Sequence, residues 1–266
     1  VVDFHGPMTA FNAERQAKDP AFTLIGSDRV HPGAPGHLLM AWLFLKSQGA
    51  PAWISRMEVD AAQGTFGEVF HAEVENLKQT EDELSFTVRM KALPLPVNAT
   101  AAAVLPMDDF AQDLAREQLA VKHLAPGDYA LYIDGTEVGR FSAEEWAQGI
   151  NTAVLPASPS VRQAQETARI NEARRNTEVT LRHFAMVRQF LRRRQIDPDD
   201  LKAVAEFAET RMENKNGYIE KQVEPYIRNW GSREEIKARI AELDHSARRA
   251  ARPKPRVYSL RRIEGR

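Results

Sequence analysis

The spacing of apolar residues changes twice along this 266-residue chain, and these changes constrain its fold more than any other feature. The stretch His37–Gln48 is apolar on nearly every helical face and is followed by Gly49 and Pro51, which predicts a buried helix. Trp53–Asp60 then alternates apolar and polar residues, which is the period of a half-buried strand. From Ser158 onward the pattern is helical again. The sequence therefore predicts an α+β fold with its strands in the middle of the chain.

Turn signals divide this middle region into short strands. Glu68–Glu75 and Leu84–Met90 are each expected to be a strand. The Asp134-Gly135 pair lies between the alternating segments Tyr129–Ile133 and Glu137–Phe141, which predicts a β-hairpin. Short strands separated by such turns favour a sandwich-like arrangement.

Three parts are expected along the chain. Residues 1–50 form the first, residues 51–157 a β-rich domain, and residues 158–266 a helical region with an extended basic tail at Arg252–Arg256. Val1–Phe4 lacks an initiator Met and is expected to be the end of a strand, as though the chain began in the middle of a fold.

Composition excludes several kinds of site. The chain has no cysteine, so it has no disulfides, thiolate metal sites or cysteine nucleophile. Its longest apolar run, Leu38–Leu45, is far shorter than the roughly twenty residues of a membrane-spanning helix. The basic residues after Ser158 alternate with acidic ones, and Arg192-Arg193-Arg194 suits the C-terminal end of a helix. We therefore expect neither a membrane nor a nucleic-acid partner.

Asp28 and His31 are the residues with the clearest chemical potential. In a serine hydrolase, a histidine takes the proton of the nucleophile, and a carboxylate fixes the tautomer of that histidine. A separation of three residues on a tight loop lets the two side chains touch. Asp-x-x-His is a common pattern, but here it continues into Pro32, Gly33 and Gly36 and then into the apolar helix.

This block resembles the last conserved block of the SGNH (GDSL-type) esterase and lipase family, in bacterial members with long C-terminal extensions. The resemblance is specific over about 50 residues and looser beyond them. It implies that residues 1–50 are the C-terminal end of an α/β/α SGNH domain, with Asp28 as the triad acid and His31 as the base. It also implies ester hydrolysis, an acylated small molecule or carbohydrate as substrate, and a periplasmic or extracellular bacterial location.

The family's other blocks are missing. Its nucleophile belongs to a Gly-Asp-Ser block that this sequence does not contain, and the two middle blocks that complete the oxyanion hole are absent as well. A base without a nucleophile has nothing to activate. The sequence therefore predicts a truncated or split hydrolase whose serine comes from outside this chain.

Other candidates carry weaker signals. Ser27 is the hydroxyl closest in sequence to the pair, but its position favours a loop hydrogen bond. His5 and His37 could join Asp3 or Asp28 at a metal, although their spacing fits no known zinc pattern. We expect no cofactor and no metal.

Two alternative functions remain open. A glycoside hydrolase would need a pair of carboxylates, for which Asp3, Asp28, Asp108 and Asp109 are available. A non-catalytic chain would use the uncovered apolar surface of residues 1–50 to bind a second copy or a partner chain.

Overall fold

The computed structural model describes residues 1–263, and the last three residues of the predicted basic tail, 264–266, lie outside this range. By their contacts the described residues form two compact units. The sandwich unit comprises Val1–Gln165 and the segment that starts at Ala251, and the helical unit comprises Glu166–Ala250. The division into domains at residues 50 and 157 stays a prediction.

The sandwich unit begins with two helices, α1 (His5–Gln16) and α2 (Ala34–Ser47). The strand predicted at Val1–Phe4 is wrong, because these residues lead directly into α1. Phe4 already has helical backbone angles, and its carbonyl accepts a hydrogen bond from Met8 N at 3.1 Å. The helix at 37–48 is confirmed and begins three residues earlier, with a proline in its first turn.

The middle of the chain contains eight strands and three short helices. In chain order these are β1 (Trp53–Asp60), β2 (Thr65–Phe70), β3 (Ala72–Gln79), β4 (Glu83–Met90), α3 (Ala99–Ala102), α4 (Met107–Leu114), β5 (Arg116–Lys122), β6 (Asp128–Ile133), β7 (Thr136–Ser142), α5 (Ala143–Gln148) and β8 (Ile150–Asn151). The single strand predicted at Glu68–Glu75 is wrong. His71 has a positive φ of 53°, which separates β2 from β3. The predicted hairpin at Asp134-Gly135 is confirmed, with both residues at positive φ.

A ninth strand, β9 (Arg256–Arg262), lies at the centre of the second sheet. The first sheet has the order β2-β1-β5-β8, in which β1 and β5 are parallel. The second has the order β3-β4-β9-β6-β7 and is antiparallel throughout. The expectation that the chain ends in a helical region with an extended tail missed β9, because only Tyr258 and Leu260 mark its buried face.

The two sheets share one apolar core, which makes this unit a β-sandwich. Met57 and Leu119 from the first sheet belong to the same buried cluster as Phe86, Leu131 and Leu260 from the second. The predicted α+β fold with a β-rich, sandwich-like middle is therefore confirmed.

A layer of helices packs against Ile54 of β1. Trp42 of α2 meets Phe110 of α4 edge to face at 5.7 Å, and its indole N–H donates to Asp113 at 2.9 Å. The expectation that α2 is wholly buried is wrong, since Phe44 remains 48% exposed. Phe44 is therefore an exposed apolar side chain on α2.

The helical part of the chain starts with the long helix α6 (Pro159–Arg192), as the sequence predicts, and continues with α7 (Leu201–Thr210), α8 (Val223–Asn229) and α9 (Arg233–Ala250). Asp200 caps α7 through the backbone N–H groups of Lys202 and Ala203. Within the helical unit, Arg188 binds Asp199 with two hydrogen bonds of 2.6 and 2.8 Å and donates to Tyr226 at 3.1 Å. Across residues 1–263, no helix has the length and apolar character needed to cross a bilayer.

Replacing Leu260 by Ala should lower the free energy of unfolding by about 2–5 kcal/mol, because Leu260 is 1% exposed between two strands. Val257→Ala on the same strand is the matched control, since Val257 is 53% exposed, and should cost less than about 1 kcal/mol. Urea unfolding monitored by circular dichroism measures both values. Equal costs would contradict the central placement of β9.

Candidate active site

The predicted site occupies a tight loop between α1 and α2. Gly26 N donates to the His31 carbonyl at 2.6 Å, and Gly33 N donates to the Leu24 carbonyl at 2.9 Å. Arg29, at the tip, has a positive φ of 57°. These bonds close the loop on itself, so the residues between Gly26 and His31 have a defined geometry without long-range contacts.

The loop is fastened to the first turn of α2 through Gly36. A Cβ at this position would lie 2.7 Å from the Leu24 carbonyl oxygen and 2.9 Å from Pro32 Cβ, so only glycine allows this approach. His37 Nδ1 lies 3.1 Å from the Gly33 carbonyl, which places this ring at the start of α2.

Asp28 and His31 are in direct contact. Asp28 Oδ1 accepts the backbone N–H groups of Val30 and His31, each at 3.0 Å, and Oδ2 lies 2.6 Å from His31 Nδ1. The His31 ring, followed by the backbone N–H groups of His31 and Val30, holds the pKa of the Asp28 carboxyl well below its usual range. Asp28 is therefore an ionised acceptor that fixes the hydrogen on Nδ1.

The other ring nitrogen of His31, Nε2, has no hydrogen-bond partner within residues 1–263. The His31 side chain is 81% exposed and that of Asp28 52% exposed. A neutral imidazole with its hydrogen on Nδ1 presents Nε2 as a proton acceptor. The pair can therefore take a proton from a group that approaches from solvent.

An apolar groove of about 480 Å³ begins where the loop begins. Leu24 and Ile25, which lead into the loop, line it together with Phe4, Met8 and Asn12 of the α1 segment. Asn12 Oδ1 accepts the Leu24 N–H at 3.0 Å and so fixes this wall to α1.

The remaining sequence candidates have separate places in the fold. Asp3 accepts the Gly6 N–H, and Asp108 and Asp109 lie in the first turn of α4, whose N-cap position is occupied by Pro106 rather than by either Asp. Ser27 is exposed. Within residues 1–263, no group of three or more His, Cys, Asp and Glu side chains is placed to hold a metal ion.

The structure contains a second Asp–His pair that the sequence analysis missed. His123 Nδ1 lies 3.1 Å from Asp60 Oδ2, and Asp60 Oδ1 accepts the N–H groups of Ala62 and Gln63. Asp60 ends β1, and His123 directly follows β5. Because the two residues are 63 positions apart in sequence, only the parallel pairing of these strands reveals the contact.

The chain is similar to an enzyme of known structure. No protein-family model and no curated protein matches the chain. Among solved structures it is similar to a gut microbial diltiazem-metabolizing enzyme, with 31% identity and a TM-score of 0.77. The match covers 97% of this chain but 61% of the enzyme, so the chain spans less than two thirds of that protein. The two proteins share the fold over nearly the whole length of this chain.

Replacing His31 by Ala should raise the pKa of Asp28 toward its usual range, because the His31 ring is the largest cause of its depression. The stability that the ionised carboxylate contributes is present above the ordinary pKa of aspartate and is lost as pH falls through the folded-state value. Carboxyl ¹³C NMR titration follows Asp28 directly. His37→Ala is the control and should leave the titration unchanged; equal shifts in both variants would contradict the assigned contact.

Proposed function

We propose that this protein is an ester hydrolase in which Asp28 orients His31 as the general base. The observation that carries the proposal is the 2.6 Å contact between Asp28 Oδ2 and His31 Nδ1, with Nε2 open to solvent. This is the arrangement in which a carboxylate fixes the tautomer, and the opposite nitrogen accepts the proton of a nucleophile.

His31 would act twice in the reaction. It first takes the proton of the attacking hydroxyl through Nε2, while the Asp28 carboxylate stabilises the resulting imidazolium. It then returns that proton to the alcohol that leaves the tetrahedral intermediate. In the second half, the same nitrogen takes a proton from the water that attacks the acyl group and returns it to the serine oxygen as the acid leaves. Asp28 stays ionised throughout, as its depressed pKa requires.

The nucleophile is proposed to be a serine outside this sequence. No Gly-Asp-Ser block is present, and the SGNH assignment rests on the loop around Asp28 and His31. The structural relative is longer than this chain, which is consistent with further polypeptide completing the site. The groove beside the loop and the exposed side of α2 are the surfaces on which that polypeptide would pack.

The structural relative supports ester chemistry. It is a diltiazem-metabolizing enzyme, and diltiazem is an ester drug. An exposed acid–base pair beside an apolar groove suits an acylated small molecule, and an acylated carbohydrate is the narrower proposal from the family resemblance.

The catalytic proposal is tested by the hydrolysis of a short acyl ester and of diltiazem, with this chain joined to the polypeptide that carries the proposed serine. His31→Ala should lower kcat/KM by more than about a thousandfold, because the members of a catalytic triad act together and the loss of the base disables the nucleophile. His37→Ala, on the first turn of α2, is the matched control and should keep the rate within a few-fold. Hydrolysis that survives His31→Ala would remove His31 from the mechanism.

A second candidate, a binding and assembly role, is favoured by the apolar surface of residues 1–50. Val30 is 70% exposed and Phe44 48% exposed, and the groove beside α1 adds further apolar area. We propose that a second copy of the chain or a partner chain covers this surface.

Light scattering tests this assembly. The unaltered chain should form an oligomer that Phe44→Asp weakens, because a charge at an apolar contact is costly to bury. Val154→Asp is the control, since Val154 is also 50% exposed but lies outside residues 1–50. A monomer at all concentrations would contradict self-association through this surface.

A further inference from the structure

Glu117 places a carboxyl group in the apolar core of the sandwich. It shares a face of β5 with Leu119 and Val121, because side chains two apart on a strand point the same way. On the parallel neighbour β1, Ser55 lies directly opposite and shares its face with Met57. Both Glu117 and Ser55 are 0% exposed.

The carboxyl group of Glu117 is only partly satisfied. Thr152 Oγ1 donates to Oε1, while Oε2 is buried with no hydrogen-bond partner among residues 1–263. The hydroxyl of Ser55 is buried and unpartnered in the same way. Buried polar atoms in native proteins nearly always have a partner, so these two atoms require an explanation.

Asn151 and Thr152 are joined to the Glu117 segment of β5 by a small set of hydrogen bonds, which we call the Asn151–Thr152 clamp. Asn151 Oδ1 accepts the Glu117 N–H at 3.0 Å, and Asn151 Nδ2 donates to the Ala115 carbonyl at 2.9 Å. Thr152 Oγ1 also lies 3.2 Å from the Glu117 carbonyl. Strand β8, which carries Asn151, pairs with β5 at two positions, so little backbone pairing would be lost on opening.

We propose that Glu117 is a buried proton-binding site that controls the Asn151–Thr152 clamp. The protonated carboxyl stays sealed in the core. Ionisation of the carboxyl favours the open clamp, because water reaches Oε2 in the open state and donates hydrogen bonds to the charged group. The only chemical step is a proton transfer from Glu117 to solvent, and no other covalent bond forms or breaks. The proposal does not depend on ester hydrolysis.

The closed clamp disfavours ionisation of Glu117, because the buried negative charge would accept a side-chain hydrogen bond from Thr152 alone. Burial raises the pKa of Glu117 to about 7, and the Thr152 hydroxyl opposes this shift only in part. Since the folded-state pKa lies above the ordinary value of 4.5, the closed state is most stable below that value. Its stability is then lost as pH rises through about 7.

The groups around the carboxyl offer it no compensating cation. The phenol of Tyr258 on β9 interacts with Glu117, and burial keeps that phenol neutral by raising its pKa. Arg256 is engaged by Asp134 at 2.7 Å. On α5, which packs against β5, Glu145 is held by Ser142. No Lys or Arg among residues 1–263 stabilises the Glu117 carboxylate.

Amide hydrogen exchange between pH 6 and pH 8 tests the proposal on the full chain. After correction for intrinsic rates, protection of the Glu117 and Ala153 amides, which both bond to Asn151 Oδ1, should fall about tenfold. Amides of β6 serve as the internal reference. Glu117→Gln should remain protected at both pH values, because the amide carries no charge.

Two further variants and one titration complete the test. Glu75→Gln, at an exposed position on β3, is the matched control and should keep the tenfold loss. Thr152→Val removes the donor to the carboxylate, so opening should move to higher pH, which a purely structural role would not produce. If Glu117→Gln fails to fold, carboxyl ¹³C titration of the unaltered chain decides. A Glu117 midpoint in the ordinary range of glutamate, or equal pH dependence in Glu117→Gln, would overturn the proposal.

Discussion

The parallel pairing of β1 with β5 is the contact on which most of the sandwich unit depends. Six consecutive pairs, from Ser55–Glu117 to Asp60–Lys122, join strands that are separated by three others in sequence. One face of this pair supplies core residues to the sandwich, and Ile54 on the opposite face meets the helices. The same pairing brings Asp60 to His123 and Ser55 to Glu117. Without the pairing of β1 with β5, the antiparallel hairpins would remain, but the contacts of Asp60 with His123 and of Ser55 with Glu117 would be lost.

The two Asp–His pairs arise from opposite kinds of contact. The Asp28–His31 pair is local, because backbone bonds across a tight loop bring the residues together. The Asp60–His123 pair depends on the sheet. In both, one carboxylate oxygen is held by two backbone N–H groups and the other meets Nδ1. Greater exposure of His31, together with the apolar groove next to its loop, favours the first pair for chemistry on an external substrate.

Buried polar groups have a different role from these exposed pairs. The pair at Asp28 is solvated, so its hydrogen bonds define geometry more than they add stability. Glu117 lies where solvent is excluded, so each missing partner changes the energy of its charged form. The proposed catalysis and the proposed response to pH therefore involve separate carboxyl groups, Asp28 and Glu117, whose surroundings differ.

The sequence alone predicted the elements that are formed by residues close together along the chain. The Asp134-Gly135 hairpin depends only on residues within a few positions of one another. The contact between Asp28 and His31 belongs to this class, and the spacing of three residues predicted it. Only the tertiary structure decided that β9 enters the second sheet, that α2 keeps an exposed side and that Glu117 is sealed in the core. Each of these depends on partners far away in sequence, and side-chain periodicity carries no information about which distant strand or helix will supply them.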